Sequence, residues 1–269
     1  MTDSPDVFRD LAAESDELDK LVADLEPAQW ALPTPAPGWT VAHQIAHLAF
    51  IFNLAGTAAS DAEAFTTMTS AASRDFNGAV NAAVERYLAE PPELLARWRA
   101  ERTSAIGALA AVPPDRTVPW LVRPLPPSVL ACAGLMEVVA HGQDVYDALG
   151  VRREWTDRIR HLVGFAVMVW DFGYQSRGLT PPDVLFRYEL TAPSGEVWAF
   201  GPPDAEQRIS GPAADFCLLV TRRRHPDDLA LTAVGADAER WLGIAQAYRG
   251  PAGEGRTPGQ FAALDAANG

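Results

Sequence analysis

Five histidines occur in this 269-residue chain, and three of them, His43, His47 and His141, fall on two helical stretches within residues 1–150. In "MEVVAHGQDVYDALG", Glu137, His141 and Asp144 follow one another at i, i+4 and i+7, which is one face of a 3.6-residue turn. In "VAHQIAHLAFIFNLAG", His43 and His47 stand one turn apart, and the helical neighbours of His47 are His43, Gln44, Phe50 and Ile51. Two imidazoles and a carboxylate converging from two helices make an open three-ligand metal site. That is the donor set of catalytic Zn²⁺ centres, which keep a position for water or substrate. Two histidines and a carboxylate also suit Fe²⁺ or Ni²⁺, so ligand type leaves the metal open. Asp144, one turn beyond His141, is placed to accept from the free ring N–H of a ligand histidine. The competing reading is a polar stripe that is solvated or hydrogen-bonded, because an E-x-x-x-H pair is common by chance. Pairing His43 with His47 and omitting Glu137 is disfavoured, since it leaves a carboxylate on a buried stripe without a partner.

Other chemistries find less support. There is no G-x-S-x-G, and "GPPDAE" and "SGPAAD" lack the spacing of a phosphate loop. The two cysteines, Cys132 and Cys217, lie inside apolar helical patterns with no C-x-x-C, so they read as buried free thiols. The balance of 22 basic against 35 acidic residues gives a net charge of −13, which repels a phosphate backbone. The run Arg222, Arg223, Arg224 is too short to reverse that, so no nucleic-acid partner is expected. No stretch approaches the roughly 18 uncharged apolar residues of a membrane span. The acidic opening "MTDSPDVFRDLAAESDELDK" has no basic region followed by an apolar run, so no signal peptide is expected and the location reads as cytoplasmic.

The elements that must position these residues are mostly helices. Val7, Leu11, Leu18, Val22 and Leu25 form one stripe of a helix over 5–25. Thr40 is a good N-cap for the His47 helix, which is expected to end near Gly56. A third stretch over about 60–89 is expected to break near Gly78, and "EPPELLARWRAERTSAIGALAAV" forms the next helix. "PPDRTVPWLVRPLPPS" is too rich in proline to be regular helix. From a Ser128 N-cap the Glu137 helix runs to Leu149 and stops at Gly150. Such helices bury their stripes most economically as a bundle. Beyond about 151 the pattern changes. "TDRIRHLVGFAVMVWDFGYQSRG" reads as one helix capped by Thr156, "VLFRYELTAPSGEVWAF" as a hairpin, "QRISGPAADFCLLVTRRR" as strand then helix, and "LALTAVGADAERWLGIAQAYRG" as strand, Gly turn and helix. The Gly- and Ala-rich tail reads as loosely held. The expected fold is therefore mainly α with a C-terminal α+β part. A four-helix bundle spans residues 1–150 and a small α+β domain spans 151–269.

"PGWTVAHQIAHLA", followed about ninety residues later by "MEVVAHGQDVYDALG", resembles the DinB-like metal-binding four-helix proteins. Within them it resembles the mycothiol-dependent maleylpyruvate isomerase branch. The G-W-T helix start, the H-L pair and the E-x-x-x-H-x-x-D helix carry the likeness. "WAF", "ISGPAADFCLLVTRRR" and "LALTAVGAD" are similar to that branch's C-terminal domain, so the resemblance covers nearly the whole chain. It implies His47, Glu137 and His141 as ligands of a divalent metal, Zn²⁺ first with Ni²⁺ or Fe²⁺ as alternatives, and mycothiol as a thiol cofactor. It implies Asp144 as the acidic position after the second histidine. It also implies an arginine from the C-terminal domain, best matched by Arg223, whose alternative role is a helix-end cation complementing the dipole. His43 is the neighbouring candidate proton carrier. Trp120 and Arg123, in the loop just before the ligand helix, are candidates to rim the site and bind the cofactor. One departure stands out: many members of the branch it resembles carry an arginine three residues before the ligand glutamate, and this chain has Gly134.

The expected activity is that of a metal-dependent isomerase or thiol transferase acting on a small electrophilic or unsaturated metabolite. The expected partners are that small molecule and a low-molecular-weight thiol, with no membrane. The alternatives are a thiol-independent hydrolase, lyase or cyclase, and a metal- or ligand-binding module without turnover.

Overall fold

A computed structural model of the chain describes residues 6–70, 76–121 and 123–263, with the backbone alone described at 76 and 77. The chain divides into two compact units, Met1–Val151 and Arg152–Gly269. Among the described residues no helix is long and apolar enough to cross a membrane.

The first unit holds helices α1 (Val7–Ala23), α2 (Pro27–Trp30), α3 (Val41–Ser60), α4 (Ala62–Thr69), α5 (Phe76–Tyr87), α6 (Pro91–Ala111) and α7 (Pro127–Leu149). The long helices α1, α3, α6 and α7 form the bundle, with α3 packed on both α6 and α7, and α1 against α7 and α6. Helix α3 is buried on nearly every side, including the polar residues Gln44 and His47. A helix buried all round needs an apolar sequence except where a polar group has a partner. Asp19 of α1 receives Arg99 through two bonds of 2.7 and 2.6 Å, which tie α1 to α6.

Several boundaries differ from the sequence expectation. Helix α3 runs through Gly56 to Ser60, because a Cβ at Gly56 would stand 3.2 Å from the Ala105 backbone of α6: the glycine serves close packing, not termination. Gly78 lies inside α5, and α4 ends earlier, at Thr69, ahead of residues 71–75, which lie outside the described residues. Helix α7 begins one residue before Ser128, with Pro127 in the first turn, where a missing N–H costs nothing. Its end at Gly150, in the left-handed region at φ 67°, agrees with the expectation.

The second unit carries a short 3₁₀ turn (Asp157–Ile159), α8 (Arg160–Met168), α9 (Phe172–Gln175), strands β1 (Phe186–Thr191), β2 (Val197–Phe200) and β3 (Gln207–Pro212), α10 (Ala213–Val220), strand β4 (Thr232–Val234) and α11 (Ala236–Ile244). The sheet order is β2-β1-β3-β4, with β1 antiparallel to β2, parallel to β3, and β3 antiparallel to β4. The hairpin and both strand-to-helix passages match the sequence pattern. The single helix expected after Thr156 is instead broken after Met168. There the Trp170 carbonyl, released from helical bonding, accepts the Trp241 indole N–H at 2.8 Å, and Gly173 lies directly against the Ile244 carbonyl. Within the described part of the tail, which ends at 263, Phe261 is buried, with the Arg224 guanidinium 3.8 Å from its ring centroid, a firmer hold than the composition implies.

Gly134 faces α1. A Cβ there would meet Leu11 at 3.3 Å, and Leu11 is fully buried. An arginine at this position must therefore push into the α1–α7 seam. Gly134→Arg is expected to destabilise the chain by roughly 1–3 kcal/mol through overpacking. Urea unfolding followed by helical circular dichroism measures it, and an unchanged midpoint would mean that α1 yields without cost.

Candidate metal centre

Helix α3 is set in place by its N-terminus. Thr40 caps it, and His43, three residues on, returns its Nδ1 to the Thr40 hydroxyl at 2.7 Å and to the Thr40 N–H at 3.3 Å, a capping box with an imidazole in the usual place of Glu or Gln. This start fixes the phase of α3, so that Gln44 and His47 face α7. From α7, Glu137 and His141 project four residues apart.

The three side chains converge. Glu137 Oε2 lies 3.3 Å from His47 Nε2 and 3.2 Å from His141 Nε2, and the two ring centroids are 4.2 Å apart. One donor atom from each lies within 4.8 Å of the others, with His47 buried and the other two partly so. Burial pushes the Glu137 carboxyl up, but hydrogen bonding and charge from His141 and then His47 more than reverse this and hold it well below the usual carboxylate range.

The protons decide what the cluster can hold. His141 Nδ1 lies 2.6 Å from Gln44 Oε1, an atom that only accepts, so Nδ1 carries the proton. The orientation of the Gln44 amide is itself constrained: its Nε2 donates to Thr34 Oγ1 at 2.8 Å and faces Asp144 Oδ2 at 3.5 Å, where a carbonyl oxygen would be repelled. With its proton on Nδ1, a neutral His141 turns the Nε2 lone pair toward the Glu137 oxygen. That contact needs a cation between the two atoms or a second proton on the ring. Charge-assisted N–H···O bonds close to about 2.7–2.9 Å. Donors held about 2.1 Å from a tetrahedral metal lie roughly 3.4 Å from one another. The observed 3.2 and 3.3 Å stand nearer the second spacing. The residues therefore fit a divalent metal held by His47 Nε2, Glu137 Oε2 and His141 Nε2. His47 Nδ1 is buried with no partner among the described residues, so His47 is the less firmly oriented ligand.

Over this cluster lies Trp39, whose ring centroid is 5.3 Å from that of His47 and 5.8 Å from that of His141. The turn that carries it is pinned by the Pro33–Thr40 bridge and by two bonds from Thr34, its N–H and its hydroxyl, to the Trp39 carbonyl at 2.8 and 2.9 Å. Trp39, Thr34 and Gln44 were not singled out from sequence. Gln44 had a signal: it is a polar residue on a helix apolar on every side. Sequence reasoning made Asp144 the acceptor for a ligand ring N–H. The geometry puts Gln44 at His141 and places Asp144 behind the Gln44 amide.

The remaining candidates have local partners of their own. His43 Nδ1 is engaged by the cap, and its Nε2 is 3.6 Å from Glu85 Oε1. Trp120 stacks on Phe65 at 5.8 Å and packs on the cluster around Leu54, Leu109 and Leu130, while Arg123 is exposed in the same loop, closed by the Val118–Leu125 bridge. Arg223 belongs to the second unit, where its Nη1 donates to the Thr221 carbonyl at 2.7 Å. Both cysteines are free thiols, and burial pushes the Cys132 thiol up to about 11.

Comparison with known proteins agrees with this architecture. The chain belongs to the mycothiol maleylpyruvate isomerase N-terminal domain family, whose model matches residues 11–146. A second family model, described as wyosine base formation, matches residues 183–234. Two uncharacterized proteins of Mycobacterium tuberculosis, from strains CDC 1551 / Oshkosh and ATCC 25618 / H37Rv, are each 48% identical over 257 residues, covering 95% of this chain and 100% of the relative. The crystal structure of the mycothiol-dependent maleylpyruvate isomerase covers 79% of this chain and 86% of its own at 17% identity, with a TM-score of 0.50. A histidine-to-alanine mutant of that enzyme matches with the same coverage, 18% identity and a TM-score of 0.53. At such identities the likeness is one of fold.

Two outcomes test the centre. Elemental analysis of gently purified protein is expected to find about one divalent metal per chain, lost in His47→Ala and in Glu137→Gln; Gln44→Leu should weaken binding by about 10- to 100-fold. Metal content unaffected by His47→Ala would remove that residue from the centre. Separately, iodoacetamide should label native protein slowly at pH 8 and quickly after unfolding in urea, because the Cys132 thiolate forms only as pH approaches about 11.

Proposed function

We propose that the chain is a metal-dependent enzyme that uses mycothiol, or a thiol like it, to isomerise a small unsaturated acid or to transfer the thiol to a small electrophile. The observation that carries this reading is the convergence of His47, Glu137 and His141 beneath Trp39, in a chain whose family is named for a mycothiol-dependent isomerase. The metal is read as Zn²⁺, with Ni²⁺ or Fe²⁺ as alternatives.

When bound, a divalent cation at these three residues supplies Lewis acidity, lowering the pKa of a thiol or polarising a carbonyl. The rest of the chemistry falls to the chain's own residues. Gln44 keeps the His141 proton on Nδ1 and so keeps Nε2 available. Asp144 and Thr34 hold the Gln44 amide in the orientation that does this. Trp39 covers the imidazoles and offers a flat apolar wall to a substrate. His43 can exchange a proton only through Nε2, since Nδ1 serves the helix cap. Arg223 is proposed to bind an acid group of the thiol or the substrate, and Trp120 and Arg123 are proposed to contact the cofactor. The side chains of Cys132 and Cys217 do not serve as the nucleophile: the first is held protonated at neutral pH and the second is fully buried.

Gly134 narrows the substrate. It gives no anion-binding side chain, and Leu11 occupies the space one would need. The proposal therefore names a class of electrophile and not maleylpyruvate in particular.

The test is a thiol-consumption and isomerisation assay with metal-loaded protein, mycothiol, maleylpyruvate and a panel of small electrophiles. Turnover well above the rate with free thiol is expected, falling at least about 100-fold in Glu137→Gln. Rates equal to free thiol across the panel would overturn the reading.

A further inference from the structure

The second unit contains a cavity of about 800 Å³ formed entirely from its own residues, and it shares none with the metal cluster. Arg177, Arg222, Arg224 and Arg256 line it; Arg223 does not. Leu219, Leu231 and Leu242 give it an apolar side. The carboxylates of Asp227, Glu239 and Glu254 also reach it, but among the described residues none stands within ion-pair distance of Arg177 or Arg222. Asp227 instead stands 3.5 Å from His225 Nδ1, which accepts the Asp227 N–H at 3.2 Å.

Arg177 is only partly engaged. Its bonds to the Gly173 and Ile244 carbonyls and to the Ser176 hydroxyl, at 2.9, 3.0 and 3.2 Å, all leave from Nη1. No described residue accepts from its Nε or Nη2. Burial and then the nearby Arg222 charge lower its pKa, against a smaller opposing influence from Tyr248.

Arg222 sits where a glycine is expected. Helix α10 ends in a Schellman motif, with Arg222 N bonded to Leu219 O at 2.9 Å and Arg223 N to Leu218 O at 2.8 Å. That motif requires the left-handed region, and Arg222 is the only non-glycine there among the described residues, at φ 58°. Helix α7 ends with the same pair of bonds and uses Gly150. A strained arginine in place of an unstrained glycine needs a reason, and among the described residues its guanidinium makes only one long bond, 3.5 Å to the Gly253 carbonyl.

We propose that this cavity binds a small organic anion, a carboxylate or a phosphate ester with a short apolar portion, gripped between Arg177 and Arg222. Its volume lies in the range of small-molecule sites, and a fork of guanidinium donors matches either acid group. The proposal does not rest on the metal chemistry proposed above, and its test needs no turnover.

Binding of butyrate, butyl phosphate and the uncharged control 1-butanol to the purified full chain is measured by titration calorimetry. Saturable binding of at least one anion is expected, about tenfold or more tighter than 1-butanol, and the arm that binds identifies the acid group. Arg222→Gly should weaken that binding by about tenfold or more while leaving the thermal midpoint without ligand unchanged or higher, since glycine relieves the left-handed strain. The second measurement separates loss of a ligand contact from loss of fold. Neither anion binding more tightly than 1-butanol, or equal binding by Arg222→Gly, would overturn the proposal.

Discussion

A single proton on His141 governs the centre. Gln44 Oε1 can only accept, so it holds that proton on Nδ1, and the Nε2 lone pair is left facing a carboxylate oxygen 3.2 Å away. Two electron-rich atoms at that separation are stable only with positive charge between them or a second proton on the ring. Burying the charges costs several kcal/mol apiece unless geometry and partners compensate. The bundle accepts that cost in the interior face of α7, where leucines would have packed for nothing. A cation and a second ring proton are the two ways to relieve that contact, and the metal proposed above is the first of them.

Much of the first unit can be understood as holding that arrangement. The His43 capping box sets where α3 begins, and with it the angle at which Gln44 and His47 meet α7. The Thr34 hydroxyl accepts from Gln44 and donates to the Trp39 carbonyl, so one side chain joins the amide that orients His141 to the turn that places Trp39 over both imidazoles. Asp144 acts from the opposite side by making one of two amide orientations unfavourable. Loss of any one of these leaves a buried polar group without its partner, which is why such networks tend to hold as a whole.

The ligand residues were legible in sequence because helical periodicity places Glu137 and His141 on one face, while the choice of His47 over His43 came from the family resemblance. Geometry supplies an independent reason for that choice: His43 Nδ1 is spent on the cap. Gln44 was hidden because its role depends on a residue 97 positions away, and a buried glutamine looks alike in sequence whether it orients a ligand or fills a gap. Gly56 and Gly150 show the same limit. Both glycines lie in α3 or at the end of α7, yet one allows a close crossing with Ala105 and the other a left-handed cap. The break after Met168 was invisible because the apolar pattern continues through it; what interrupts the helix is the Trp241 indole seeking a carbonyl.

Helix α7 also shows how one physical force yields opposite protonation states within five residues. Burial disfavours the charged form of both Cys132 and Glu137. For Glu137 the imidazoles of His141 and His47 outweigh it, and the carboxylate stays ionised. No cationic partner opposes it at Cys132, and the thiol stays neutral. The chain thus keeps its charge at the centre and no reactive thiolate beside it. In the function proposed above, the nucleophilic sulfur therefore comes from outside the chain, and the charge that would ionise it is that of a cation at His47, Glu137 and His141. On the proposed reading, the use of an external thiol and the need for a cation both follow from the same local electrostatics.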